Sequence, residues 1–111
     1  MKFLCLAYGA EEGWNELSKA EQDELLAQDE LLRQRGDIVV AAVELTATTV
    51  TAWDGKPATT EDTFAHARVP LAGFGIIDAA DLDEAIKLVA NTPCARAKGA
   101  VVLRPISVIN L

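Results

Sequence analysis

Apolar and polar positions along this chain follow two periods. KFLCLAY, Lys2–Tyr8, is apolar without a helical repeat and is closed by Gly9, which predicts a buried strand. Residues 9–17 read as a loop whose Trp14 packs back onto the fold. Ser18 and Glu21 then form a capping box: the hydroxyl takes an orphan amide and the carboxylate returns to the cap. Leu17 stands in the staple position before it. The helix runs from there to about Arg35 and stops at Gly36. Residues 37–45 and 48–53, rich in Val, Ala and Thr, read as strands. Asp54-Gly55 with Pro57 marks a tight turn, after which residues 58–60 return as a short strand. Residues 71–79 are apolar on both faces, with a glycine on either side of Phe74, and predict a central strand that another backbone or a ligand approaches closely. Asp81 and Glu84 open a second helix. Its Leu82, Ala85, Ile86, Val89 and Ala90 repeat with one buried face, and Thr92-Pro93 ends it. Residues 100–106 are the last long strand.

This order is β, α, β, a hairpin, β, α, β. Two helices crossing an otherwise antiparallel sheet give an α+β fold, the ferredoxin-like split βαβ with an extra hairpin. Helices would cover one face of the sheet. The other face is apolar as well, and a lone domain does not leave such a face wet, so sheet-to-sheet pairing in a homodimer is expected.

One position breaks the first helix's pattern. With Leu25 as zero and about 100° per residue, Leu26 lies at about 100°, Leu32 at about −20° and Asp29 at about 40°. A carboxylate on a core-facing stripe is costly unless paired, hydrogen-bonded or wet. Either Asp29 lines a polar cavity under the helix, or the stripe is rotated and Asp29 sits at its wet edge.

Composition narrows the class. The 111 residues make one domain, 1–111, and half of them are hydrophobic, enough for one core. No apolar run reaches the ~20 residues that span a bilayer. The start lacks a full signal-peptide core, and Cys5 and Cys94 are too few for a disulfide framework, so a cytoplasmic protein with reduced thiols is expected. Neither thiol has a His or Cys at metal-ligand spacing, and neither a metal nor a cofactor is expected. The net charge of −7 resides in residues 11–30, which hold eight acids and the single base Lys19. An acidic face of this kind argues against nucleic acid or an anionic membrane as partner.

Candidate chemistry gathers in residues 59–78, TTEDTFAHARVPLAGFGIID. Glu61, Asp62, His66 and Arg68 stand there directly before the central strand, and His66 is the chain's only histidine. Asp29, Asp62 and His66 are the candidate catalytic groups. His66 is either a general acid or base or an ordinary surface residue. Glu61 and Asp62 are either bases or loop-folding carboxylates. Arg68 and Arg104 would hold an anionic ligand or neutralise the acids, and Tyr8 would line the same cleft. The segment is expected at the mouth of a cleft between the sheet and the first helix, near Asp29. No Ser–His–Asp spacing or phosphate-binding glycine loop accompanies it.

The sequence resembles the YCII-related family, in particular its DGPF-motif branch. MKFLCLAYG is similar to that family's first strand, ELLRQRGDIV to its helix end, TATTVTAWDGKPATTEDTF to its hairpin, and LAGFGIID and VVLRPI to its later strands. The resemblance implies a dimeric ferredoxin-like α/β barrel with a cleft, and a regulatory setting beside sigma factors. The motif itself departs: Glu61-Asp62-Thr63-Phe64 stands for Asp-Gly-Pro-Phe, His66 for an acid, and Arg68 for a Lys. Phe64 is retained, and joins the candidate ligand-binding residues Tyr8, Asp29, Glu61, Arg68 and Arg104. Enzyme-like members carry a His where this chain has Leu25. A ligand-sensing or partner-binding dimer for a small polar or anionic ligand is therefore the first expectation. A small-molecule lyase or isomerase working by proton transfer is the alternative.

Overall fold

Period-2 burial in β1 (Lys2–Tyr8) and β5 (Leu71–Asp78) organises the molecule, a computed structural model covering residues 1–36 and 38–108. Phe3 and Cys5 point to the helix side, and Gly75 and Ile77 stand opposite them across the ladder. Phe3 is fully buried. Burial of such a ring contributes about 1.5–3 kcal/mol of transfer free energy. Between these strands lie α1 (Glu11–Asn15), α2 (Lys19–Arg33), β2 (Val39–Ala42), β3 (Thr49–Thr51) and β4 (Ala58–Thr60). After β5 come α3 (Leu82–Val89), α4 (Pro93–Arg96) and β6 (Ala100–Pro105). Asp37, the expected start of the second strand, lies outside the described residues.

The main sheet has the order β2-β5-β1-β6, and every neighbouring pair is antiparallel. β1 and β2 therefore run parallel, joined by the crossing helix α2, and β5 is central as its two-faced apolar pattern predicts. This is the ferredoxin-like arrangement. The flanking glycines of Phe74 serve a backbone. A Cβ at Gly73 would stand 2.5 Å from the carbonyl oxygen of Ala41, and one at Gly75 would stand 3.0 Å from that of Val39. β2 can approach β5 only because neither has a side chain.

α2 begins as expected. The Glu21 amide donates to the Ser18 hydroxyl at 3.1 Å, and the Ser18 amide donates to the Glu21 carboxylate at 3.0 Å. Its inward stripe is Gln22, Leu25, Asp29 and Leu32, of which Leu25 is buried. Leu26 is exposed, because it lies about 80° from the centre of that stripe at 100° per residue. The Ser18 bonds hold the Glu21 carboxyl below its ordinary value. A depressed carboxylate stabilises the fold above its unfolded pKa, and that contribution is lost as pH falls through the folded value. Glu21→Gln, which keeps the bond and removes the charge, should therefore melt below the parent at neutral pH. Melting curves of the two should converge as pH drops below the ordinary glutamate value of about 4.3.

α3 is rotated from the predicted face. Ala85 and Val89 are buried and Leu88 packs against the core, whereas Leu82 and Ile86 are about half exposed. The N-terminal cap is as read, with the Asp81 carboxylate accepting from the Glu84 amide at 2.9 Å. α1 and α4 occupy stretches read as a loop and as a helix stop. Pro93 does end one helix, but it starts another, its fixed φ suiting the first position.

Two apolar features remain uncovered. The sheet face away from the helices carries Leu4, Leu6, Phe74 and Ile76 in its centre, with Val39 and Val102 at 49% and 42% exposure on the edge strands. The hairpin β3–β4 forms its own two-stranded sheet rather than extending the main one. The chain measures 51 × 33 × 20 Å, with a radius of gyration of 15.8 Å, against about 13 Å for a compact domain of this length. Among the described residues, no helix is long and apolar enough to cross a membrane.

Candidate functional site

The cleft expected from the sequence is two separate cavities. The first, about 190 Å³, lies between α2 and the helix-side face of the sheet. Asp29, Leu32 and Arg33 form its roof, and Cys5, Gly73 and Gly75 form its floor. Cys94 and Val89 close one side. Asp29 reaches it because α2 turns that carboxylate inward. Its side chain is only 20% exposed and accepts from Arg33 Nε at 3.0 Å. The buried-stripe cost is thus offset by an i,i+4 partner in the same wall, which the sequence spacing could have indicated. The cavity's remaining lining is largely apolar, so the expected polar cavity is an apolar one with a single ion pair at its edge.

Both thiols face this space. Burial pushes the Cys5 thiol up, and burial followed by the Asp29 carboxylate pushes Cys94 up. Raised thiols are poor nucleophiles, so Cys5 and Cys94 act here as small apolar walls. Nothing in the local spacing of Cys94 marks it as a lining residue, since α4 and not a motif carries it inward.

The second cavity, about 620 Å³, lies between residues 43–47 and 62–71 and also takes in Tyr8 at the end of β1. Asp62, His66 and Arg68 line it, but none of them lines the cavity that holds Asp29. Thr63 organises the turn: its amide donates to the Asp62 carboxylate at 2.7 Å, and its hydroxyl lies 3.3 Å from His66 Nδ1. The Thr49 hydroxyl donates to the Asp62 carbonyl and ties this turn to β3. His66 Nε2 stands 3.8 Å from Asp62, with both side chains more than 60% exposed. An exposed pair at that separation contributes between zero and about 1 kcal/mol, and it does not orient the ring for proton transfer. Glu61 and Phe64 are exposed and line neither cavity, and Phe64 is 77% exposed. Arg104 is on the uncovered sheet face opposite Leu4, away from both. Asp62, His66 and Arg68 therefore belong to a connecting segment that lines the second cavity, and Asp29 stands apart from them with Arg33.

Topology and cavity together define a small α+β domain of ferredoxin-like fold with a pocket under its first long helix. The sequence matches the YCII-related domain over residues 1–110, and the chain belongs to that family. No curated protein matches it. Among solved structures it is similar to the 5-chloro-2-hydroxyhydroquinone dehydrochlorinase TftG from Burkholderia phenoliruptrix AC1100, in complex with 2,5-dihydroxybenzoquinone. The TM-score is 0.52 at 20% identity, covering 96% of this chain and 94% of that one.

Proposed function

We propose that this chain is a homodimeric, ligand-sensing domain that takes a small single-ring molecule beneath α2. The observation that carries the reading is the cavity: about 190 Å³ of mostly apolar space with one ion pair, Asp29–Arg33, at its wall. A dry aliphatic cavity of about 150 Å³ holds benzene, so the space suits one ring with a polar substituent. Arg33 would meet an anionic or carbonyl oxygen and Asp29 a hydroxyl. The homodimer is supported by the uncovered sheet face, whose Leu4, Leu6, Phe74 and Ile76 would be buried by a second copy. A dimer whose pocket responds to a small molecule suits a regulatory partner, such as the sigma-factor setting that the resemblance implies, and its two free thiols suit the cytoplasm.

A second reading is a small-molecule enzyme with Asp29 as proton acceptor. It is favoured by the structural neighbour, a dehydrochlorinase in complex with a six-membered ring compound. Calorimetric titration with 2,5-dihydroxybenzoquinone tests both. Under the sensor reading the compound binds unchanged, and Ala42→Leu, which fills the cavity mouth, weakens binding at least about tenfold, or ~1.4 kcal/mol. Chloride release from 5-chloro-2-hydroxyhydroquinone, with Asp29 taking the proton as chloride leaves and Asp29→Asn abolishing the release, would establish the enzyme reading instead. A flat titration at millimolar concentration, with this compound and with simple hydroxybenzenes, would remove both.

A further inference from the structure

We infer that the β3–β4 hairpin is an arm that clasps the second copy of the chain, with Trp53 as its anchor. The inference rests on the homodimer proposed above and goes beyond it by assigning the contact. Four large apolar side chains stand on or beside this hairpin and are left in water: Leu45 at 81% exposure, Val50 at 61%, Trp53 at 89% and Phe64 at 77%. No comparable concentration occurs elsewhere among the described residues. Trp53 lies two residues past β3 at the turn, where Gly55 takes a positive φ of 84° and the Asp54 carboxylate accepts from the Lys56 amide at 3.0 Å. The tip is thus a formed turn that presents the indole outward.

The hairpin is also short of support. Its strands are three residues each, paired only with one another. An isolated two-stranded hairpin is marginal in water. The Thr49 hydroxyl on the Asp62 carbonyl closes its open end onto the segment that follows β4, and among the described residues its strands pair with no strand of the main sheet. An element with an ordered turn, little packing of its own and its large side chains turned out is built to pack on something else.

Area selects the occupant. An aromatic side chain buries about 150–250 Å². A reciprocal exchange buries Trp53 and Phe64 twice over, which yields roughly 600–1,000 Å² before Leu45, Val50 and the receiving surfaces are counted. That approaches the ~1,200 Å² at the lower end of stable interfaces. The uncovered sheet face adds the remainder, and both surfaces are present on every copy, as an isologous two-fold contact requires. A foreign partner would have to cover arm and sheet face separately; a second copy covers both at once.

Trp14 and Trp53 are the only tryptophans, so Trp14→Phe leaves Trp53 as sole reporter. Sedimentation and emission spectra are measured together across dilution from tens of micromolar to nanomolar. The expected result is a dimer whose Trp53 emission is blue-shifted and moves to the red as the dimer dissociates. Trp53→Ala should raise the dimer dissociation constant by about 30-fold or more, the behaviour of a tryptophan hot spot. Because the indole is exposed within one chain, this variant keeps its fold, which circular dichroism checks. A dimer whose Trp53 emission stays that of free indole, with affinity unchanged by Trp53→Ala, overturns the arm and leaves the homodimer standing. A blue-shifted emission that ignores dilution places the arm on its own chain and also overturns it. A monomer at every concentration removes both readings.

Discussion

Gly99→Ala should lower the melting temperature by about 10–15 °C, or prevent soluble expression, although it adds a single methyl group. A Cβ at this position would stand 2.0 Å from the carbonyl oxygen of Tyr8 and 2.7 Å from that of Cys94. Both are backbone atoms, one at the end of β1 and the other in α4, so no rotamer change relieves the overlap. Displacing packed backbone costs about 3 kcal/mol, and for a chain of this size each kcal/mol lowers the midpoint by about 4 °C. Gly55→Ala is the control. Gly55 takes a positive φ of 84° but has open space around its Cβ direction, so its cost is only the conformational one, about 1 kcal/mol. If Gly99→Ala melts no lower than Gly55→Ala, the close approach of β1, α4 and β6 is not the constraint described.

Phe3→Ala is expected to cost about 3–5 kcal/mol, the range for removing a buried ring and leaving a cavity. Phe3 has no exposed surface and packs in the cluster with Cys5, Ile77, Ala79, Ala85 and Val89. That cluster is small for the chain, so little surrounds the ring to collapse into its space. Measured by urea unfolding at fixed protein concentration, the loss should be a large share of the total of roughly 5–15 kcal/mol. Phe3→Leu should cost markedly less. A difference below about 1 kcal/mol between Phe3→Ala and the parent would mean that the ring is not the core's centre.

The sequence carried the order of the sheet strands and the two long helices, because each of those strands is a short run rich in apolar residues and each long helix has a cap. It carried the central position of β5 through the two-faced run from Gly73 to Ile77. It did not carry the face of α3. Leu82 and Ile86 satisfy a helical stripe as well as Leu88 does, and only docking on β1 and β6 decides between them. The candidate site was legible in one residue. Asp29 announced itself by interrupting an apolar stripe, and its inward placement follows from that. The grouping of Asp29 with Glu61, Asp62, His66 and Arg68 was not legible. It assumed that the segment entering β5 lies beneath α2. The two strands β3 and β4 instead carry that segment out past the edge of the main sheet, where its charges meet the 43–47 turn. Arg104 was expected to share an anionic ligand or the acids with Arg68, but strand alternation places it on the uncovered face opposite Leu4.

The strand order also sets the timing of assembly. β1 is the first strand in the chain, yet Phe3 sits opposite Ile77 on one side and Pro105 on the other. Neither partner is local, and β2 cannot stand in for them, because it pairs with β5 rather than β1. During synthesis, KFLCLAY leaves the ribosome as an apolar strand with both edges unpaired and waits until almost the whole domain has been made. Closing such long loops before any ladder forms slows folding, and an unpaired apolar strand in that interval is a template for association between chains. The acidic stretch that follows β1, with eight carboxylates in residues 11–30 across α1 and α2, travels beside this strand throughout the wait. Its charge repels the same segment of neighbouring nascent chains, so the acidic stretch shields the strand whose partners are made last.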